Sequence, residues 1–225
     1  MSLRIGSGRT IAKWVIIAIL GILMAIFVIK TALWEKDYYE SKEGSERAVA
    51  MDMGDDLVEE PPTEQEVVEY TVAPDRPRYL SIDRLGISNA RILPMGINAE
   101  GELTTPNNIF DVGWYNESGK PGQGGTLLID GHNGGPHVQG VFKALPSLGS
   151  GDIIRVERGD GQIFQYSVVE NKAVPLSESN DYMATAMMSP MKGKESITLI
   201  SCTGEWSQAQ KTYLSRQFVR AILIE

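Results

Sequence analysis

Apolar and polar positions along the chain fall into three regimes. In the first, residues 14–29 read WVIIAILGILMAIFVI, sixteen positions without a charge. Counted to Leu33 the run is twenty residues, about 30 Å as a helix at ~1.5 Å per residue, which matches the hydrocarbon core of a bilayer. Lys30 can snorkel to the interface, and Trp14 and Trp34 stand where aromatic belts form. The pattern predicts a single transmembrane helix over 14–34. Arg4, Arg9 and Lys13 precede it without an acid, so residues 1–13 are expected in the cytoplasm and everything after 34 outside. A cleaved signal peptide is the alternative, but the run is long for one and no small-x-small site follows it.

The third regime begins near residue 77 and has the period of a strand. RYLSIDRL (78–85), DIIRVER (152–158) and IFQYSVVENKAV (163–174) alternate apolar and polar residues. TLLID (126–130), SITLIS (196–201) and RQFVRAILIE (216–225) are rich in Val, Ile, Leu, Phe and Thr. Clusters such as SGKPGQGG and GHNGGPH separate them. RGDG at 158–161 reads as a hairpin turn between two strands. Short helices are expected only at 138–145 and 179–189. Many short strands in about 150 residues predict an all-β barrel or sandwich.

Charge separates the middle regime from the other two. Residues 35–75 hold fourteen acids against three bases, a net −11. Residues 1–34 carry +4, which leaves −1 of the chain's total of −8 for residues 76–225. So acidic a segment, with EEPPTEQE inside it, cannot bury enough apolar surface to fold alone. It predicts a disordered acidic stalk over 35–76. An acidic stretch of this kind could also fold over the domain and regulate it. The near-neutral remainder shows no basic patch, which argues against nucleic acid as a partner.

The candidate chemistry is sparse. Cys202 is the one cysteine, and His132 and His137 are the two histidines. On the strand around TLISC, Thr198, Ile200 and Cys202 share one face, and Ile197, Leu199 and Ser201 the other. His132 follows a hydrophobic strand, and Arg216 opens the last one. A thiolate attacks an acyl carbon, an imidazole moves the protons, and a guanidinium stabilises the oxyanion. A lone cysteine among Leu, Ile and Ser also fits a small buried hydrophobe. Arg216 and Arg220 share a face, so periodicity does not choose between them. Asp130 shares a face with His132 and could orient it, though the pair also fits a plain strand end. Composition and period leave function open.

The order of motifs narrows it. GH at 131–132, GVFKAL at 140–145, TLISC at 198–202 and RQFVRA at 216–221 closely resemble the sortase family, as do PRYLSIDRLGISNARILPMGINAEGEL and VGWY before them. The resemblance covers about 77–225. It implies an eight-stranded sortase-like β-barrel with short helices over 77–225, following the anchor and stalk. Ser201 stands where the family usually has Thr; the hydroxyl is kept. The resemblance assigns Cys202 as nucleophile, His132 as general acid and base, and Arg216 as binder of substrate backbone and oxyanion. Trp114 and Tyr115 are candidates to border the substrate pocket, and Ser201 and Thr203 to touch substrate beside the nucleophile. His137 matches no motif and is expected to be a loop histidine.

The resemblance implies a membrane-anchored cysteine transpeptidase. It would cleave an LPxTG-like sorting motif near a surface protein's C-terminus and pass it, through a thioester, to an amine of the cell wall. The absence of a C-terminal membrane segment and of an Asp-Pro-aromatic lid motif favours wall attachment over pilus assembly. No cofactor or metal is expected. Two rivals come from other classes. An L,D-transpeptidase-like crosslinker lacks support because ISCTG has no adjacent histidine. A non-enzymatic stalked adhesin, using RGDG, requires Cys202, His132 and Arg216 to be far apart.

Overall fold

A computed structural model gives the fold; it describes residues 57–99 and 103–224, with Met24 and Lys30. The expected anchor at 14–34 and the stalk before residue 57 lie outside the described residues. Among the described residues no helix is long and apolar enough to cross a membrane.

Eight strands close into a barrel. They are β1 (Pro77–Ile82), β2 (Ile87–Met95), β3 (Val112–Tyr115), β4 (Thr126–Gly131), β5 (Ile153–Arg158), β6 (Ile163–Pro175), β7 (Ser196–Ser207) and β8 (Thr212–Leu223). The order is β1-β2-β3-β4-β7-β8-β6-β5, with β5 returning to β1. Two pairs are parallel, β2 with β3 and β4 with β7; the rest are antiparallel. A parallel pair needs a long crossover. Between β4 and β7 that crossover is the β5–β6 hairpin followed by helix α2 (Leu176–Ala186).

Period-two alternation divides each strand between two cores. Ile197 and Leu199 of β7, Leu127 and Ile129 of β4, and Val219 and Ala221 of β8 fill the barrel interior. Their neighbours Ile200 and Cys202, Leu128, and Phe218 form a second apolar cluster on the outer wall with Val174 and Ala186. The face assignment made from the sequence around Cys202 is thus the observed one.

Three expectations need correction. First, residues 57–75 are ordered rather than a free stalk. A short helix, α1 (Glu64–Glu69), starts at Thr63, whose hydroxyl and backbone exchange hydrogen bonds with Glu66 in a capping box. Tyr70 donates its hydroxyl to the Ile92 carbonyl at 2.5 Å, Tyr79 donates to the Val67 carbonyl, and Asp75 pairs with Lys120 at 2.5 Å. The composition argument fails here because the segment does not fold alone; it borrows partners from the finished barrel.

Second, residues 138–145 form turns rather than a helix, ending in a single 3-10 turn at Leu145–Ser147. The helix expected at 179–189 is present as α2. Third, the strand read over 196–201 runs on through Cys202, and Arg216 does not open the last strand. β7 continues to Ser207 and β8 already starts at Thr212, past a register shift between Thr203 and Trp206 where Gly204 takes φ 85°. Glycine adopts that left-handed backbone without Cβ strain. The hairpin so extended is closed by Trp206 and Tyr213, edge to face at 5.2 Å.

Candidate active site

The site is built by strand register. Cys202 on β7 and Arg216 on β8 are direct cross-strand partners. In the same ladder Ile200 faces Phe218 and Thr198 faces Arg220. On the other side, parallel β4 aligns Asp130 with Ile200, and His132 follows just past the end of β4 at Gly131. Segments far apart in sequence thereby bring Cys202 and Arg216 together, with His132 at the end of the neighbouring strand.

The register also chooses the arginine. Arg220 is bound by Glu170 at 2.6 Å and donates to the carbonyls of Thr185 and Met188, tying β8 to the end of α2. Arg216 is held differently. Its Nη1 donates to the Tyr213 carbonyl at 2.9 Å and to that of Ser215 at 3.2 Å, and its Nη2 to Thr212 Oγ1 at 3.2 Å. Those bonds to the hairpin end set the plane of the guanidinium beside Cys202.

His132 is held from both sides. Its Nε2 lies 2.8 Å from the Pro106 carbonyl, which requires the proton on Nε2 and leaves Nδ1 as the acceptor of the neutral ring. Its own carbonyl accepts from Phe142 N at 3.0 Å. The Phe142 ring packs on the preceding residue so closely that a Cβ at position 131 would meet it at 2.6 Å. The glycine of GH and the phenylalanine of GVF are therefore two halves of one contact. Ser201 completes the frame: it is buried, and its hydroxyl donates to the Gly131 carbonyl at 2.8 Å. That bond crosses from the strand of the cysteine to the strand of the histidine.

All three groups are shut off from solvent, with 8% of Cys202, 6% of His132 and 1% of Arg216 exposed. Burial pushes the Cys202 thiol up, Arg216 pulls it back down, and Asp130 adds a smaller push upward. Burial lowers His132, against the opposing pull of its bond to Pro106. Both shifts favour the uncharged form of the group concerned.

Asp130 does not orient His132, whose ring bonds to Pro106 instead. It is fully buried, and neither carboxylate oxygen has a hydrogen-bond partner within bonding geometry. The Thr105 hydroxyl is near enough to offset the effect slightly, but burial dominates and pushes Asp130 up to about 8.

The other sequence candidates separate. Tyr115 and Tyr213 pack against the outer cluster that contains Cys202. Thr203 is half-buried one residue past the nucleophile, opposite Ser215. Trp114 is corrected: it is a barrel-interior residue, 2% exposed, with its indole N–H given to the Gly119 carbonyl. Alternation puts adjacent residues of β3 on opposite faces, so Trp114 and Tyr115 cannot both border the cleft. Ser201 is also corrected from a substrate contact to an interstrand tie. The wall that the sequence did not reveal comes from α2: Tyr182 stacks edge to face on Phe218 at 4.8 Å, with Met183 and Met187 beside it. His137 is a loop histidine, paired with Glu59 at 2.9 Å.

The closed barrel carries on its wall a buried cysteine that is paired in register with a buried arginine. The family model for the sortase domain matches residues 80–224, well over half of the chain, and the chain belongs to the sortase family of cysteine transpeptidases. Similar solved structures include a pilus-related sortase C of Group B Streptococcus, 17% identical with TM-score 0.52, covering 88% of this chain and 89% of that one. A Streptococcus pneumoniae sortase C is 18% identical with TM-score 0.51, covering 84% and 95%. A Clostridium perfringens sortase D5 transpeptidase is 21% identical with TM-score 0.47, covering 73% and 90%. At these identities the likeness to the two sortase C structures bears on fold alone. Among curated proteins no match to the chain is found.

Proposed function

We propose that this chain attaches surface proteins to the cell wall by cleaving an LPxTG-like sorting motif and transferring the acyl group to a wall amine. The observation that carries the reading is the register pair Cys202–Arg216, with His132 just past the end of the neighbouring strand β4.

In the first half-reaction His132 Nδ1 takes the thiol proton and Sγ attacks the carbonyl carbon of the scissile peptide bond. Arg216 stabilises the oxyanion of the tetrahedral intermediate. The C–N bond breaks, His132 returns its proton to the leaving amine, and a thioester remains on Cys202. In the second half an amine of the wall peptide attacks the thioester, gives its proton to His132, and releases Cys202 as the thiol. Tyr115 and Thr203 border the bound motif, against the apolar wall of α2. The charge and hydropathy of residues 1–34 support a single-pass anchor in the plasma membrane, with the N-terminus cytoplasmic and the barrel outside.

The stalked-adhesin reading loses its main support in the geometry of RGDG. Arg158 doubles back on Asp160, at 3.0 Å through Nε and 2.7 Å through Nη2, so the tripeptide spends its charges on itself.

Incubation of the detergent-solubilised full chain with a library of LPxTG-like peptides, followed by intact-mass measurement, tests the proposal. A covalent adduct of the N-terminal peptide fragment, released by an added amine and absent from Cys202→Ala, is the expected result. A folded chain that forms no adduct with any peptide, and whose thiol also resists small electrophiles, overturns it. Protease added to intact protoplasts should digest the barrel if it lies outside the membrane.

A further inference from the structure

Three residues ahead of α1 touch both of the loops that hold the catalytic histidine. Val58 pairs with the segment 107–109: its N–H donates to the Asn107 carbonyl at 2.9 Å, and its carbonyl accepts from Ile109 N at 3.1 Å. Asn108 adds a bond from Nδ2 to the Glu60 carbonyl at 2.9 Å. This is the segment whose Pro106 carbonyl anchors the His132 ring. Between them, Glu59 reaches the other loop. Its Oε1 accepts from His137 N at 2.8 Å and Val138 N at 3.2 Å, and its Oε2 meets His137 Nδ1 at 2.9 Å. The carboxylate fills the space a side chain would need at residue 135, since a Cβ on Gly135 would lie 2.1 Å from Oε1. That loop starts at His132 and returns to it. Gly140 N donates to the Asn133 carbonyl at 2.9 Å and Phe142 N to the His132 carbonyl at 3.0 Å.

We propose that Glu59 is a positioning residue for His132, acting through a strap, Val58–Glu60, that clasps the loop bearing the histidine to the loop bearing its ring anchor. The proposal rests on the reading of Cys202 and His132 as an acyl-transfer pair. The two loops also meet directly through Val141 N and the Ile109 carbonyl at 2.9 Å, so the strap sets their spacing rather than creating it. The two backbone bonds need an acceptor at Oε1 and no charge; the contact to His137 is a second and more exposed one, with 83% of that side chain in solvent. A reacting group held from two loops is sensitive to small changes in their spacing, because a misplacement of about 1 Å can cost ~100-fold in rate.

The test compares the full chain with Glu59→Ala, Glu59→Gln and His137→Ala. It uses a peptide that the full chain cleaves, and the NMR signals of the His132 imidazole. Glu59→Ala is expected to lower kcat by about tenfold, within the ~100-fold that such misplacement can cost, with KM little changed. It is also expected to shift or broaden the His132 signals at unchanged Tm. Glu59→Gln, which keeps the acceptor, and His137→Ala, which keeps both backbone donors, should stay close to the parent in both readouts. Glu59→Ala with kcat and the His132 signals unaltered overturns the proposal. So does a loss in Glu59→Ala that simply follows a fall in Tm and is equally large in Glu59→Gln. If the parent cleaves no peptide at all, the functional reading fails on its own account, and the imidazole signals of Glu59→Ala still decide the role of the strap.

Discussion

Cys202 and Arg216 are register partners across β7 and β8, and the next arginine on the same face, Arg220, faces Thr198 instead. One rung of the ladder thus pairs a guanidinium with Cys202, and another fastens β8 to a helix. Substituting them should therefore have different consequences. Arg216→Ala is expected to lower kcat/KM by about 10²-fold, the effect of losing one oxyanion donor, and to cost about 1 kcal/mol or more in stability through the hairpin carbonyls it leaves without a donor. Lysine at 216 should recover only part, because an ammonium cannot replace the planar fork. Arg220→Ala leaves Glu170 only its bond from Tyr182 and strips the donor from the Thr185 and Met188 carbonyls, which should cost about 1–3 kcal/mol in stability. Denaturant titration beside steady-state kinetics separates the two; equal kinetic defects in both variants would show that the register does not choose the arginine.

The direction of the thiol shift leads to a pH prediction. Burial raises Cys202, so the thiolate fraction at pH 7 is below that of a free thiol, and alkylation by iodoacetamide should be slow there and climb steadily on the alkaline side. Removing Arg216 removes a lowering influence, so the Arg216→Gln profile should move further up in pH. His132 is shifted the other way by burial, so its imidazole should titrate below the ordinary value of 6.5 by NMR. An alkylation midpoint for the parent below that of a free thiol would contradict the electrostatics of the site.

Asp130 makes a prediction about stability. Its folded-state value of about 8 lies above the ordinary value of 3.8. Between those two values the native state holds a proton that the unfolded chain has released. Stability therefore falls as pH rises through that window, by up to about 1.4 kcal/mol per pH unit, and the loss is complete above pH 8. Asp130→Asn abolishes the dependence. The variant is expected to melt several degrees higher at pH 8 and to lose that advantage at pH 4. Above pH 8 it should also alkylate faster at Cys202, since the carboxylate no longer opposes the thiolate. Calorimetry across pH 4–9 checks the first point, and a parent Tm independent of pH in that range would refute it.

Ser201 tests the interstrand tie. Ser201→Ala leaves the Gly131 carbonyl without its side-chain donor and should cost about 1 kcal/mol. Because that carbonyl precedes His132, kcat should fall as well, while KM for the peptide stays put. Ser201→Thr keeps the hydroxyl and is expected to keep both properties. A KM effect in Ser201→Ala with kcat intact would restore Ser201 to the role of a substrate contact.

Much of the fold was legible because the strand signal is local. The pleat puts alternate side chains on opposite faces whatever lies beside the strand, so Ile197 and Leu199 could be assigned to one face, and Ile200 and Cys202 together to the other, from period alone. The order of GH, GVF, TLISC and RQFVRA carried the family, and with it the three catalytic candidates. The helix misread at 138–145 and the stalk misread at 57–75 fail for one reason. In both, backbone partners come from elsewhere in the fold: Phe142 N bonds back to His132, and Tyr70 and Tyr79 anchor the acidic segment to β2 and β1.

By itself, then, the sequence determined which residues could do the chemistry, which of them share a face of each strand, and the separation of an acidic segment from a near-neutral barrel. Only the tertiary structure decided that Arg216 pairs in register with the cysteine while Arg220 is tied to Glu170 and the end of α2, that Trp114 is core, that Pro106 anchors the histidine, and that Glu59 reaches its loop. Those outcomes depend on register between strands separated by tens of residues and on backbone carbonyls. Barrel closure sets the first, and no side chain advertises the second.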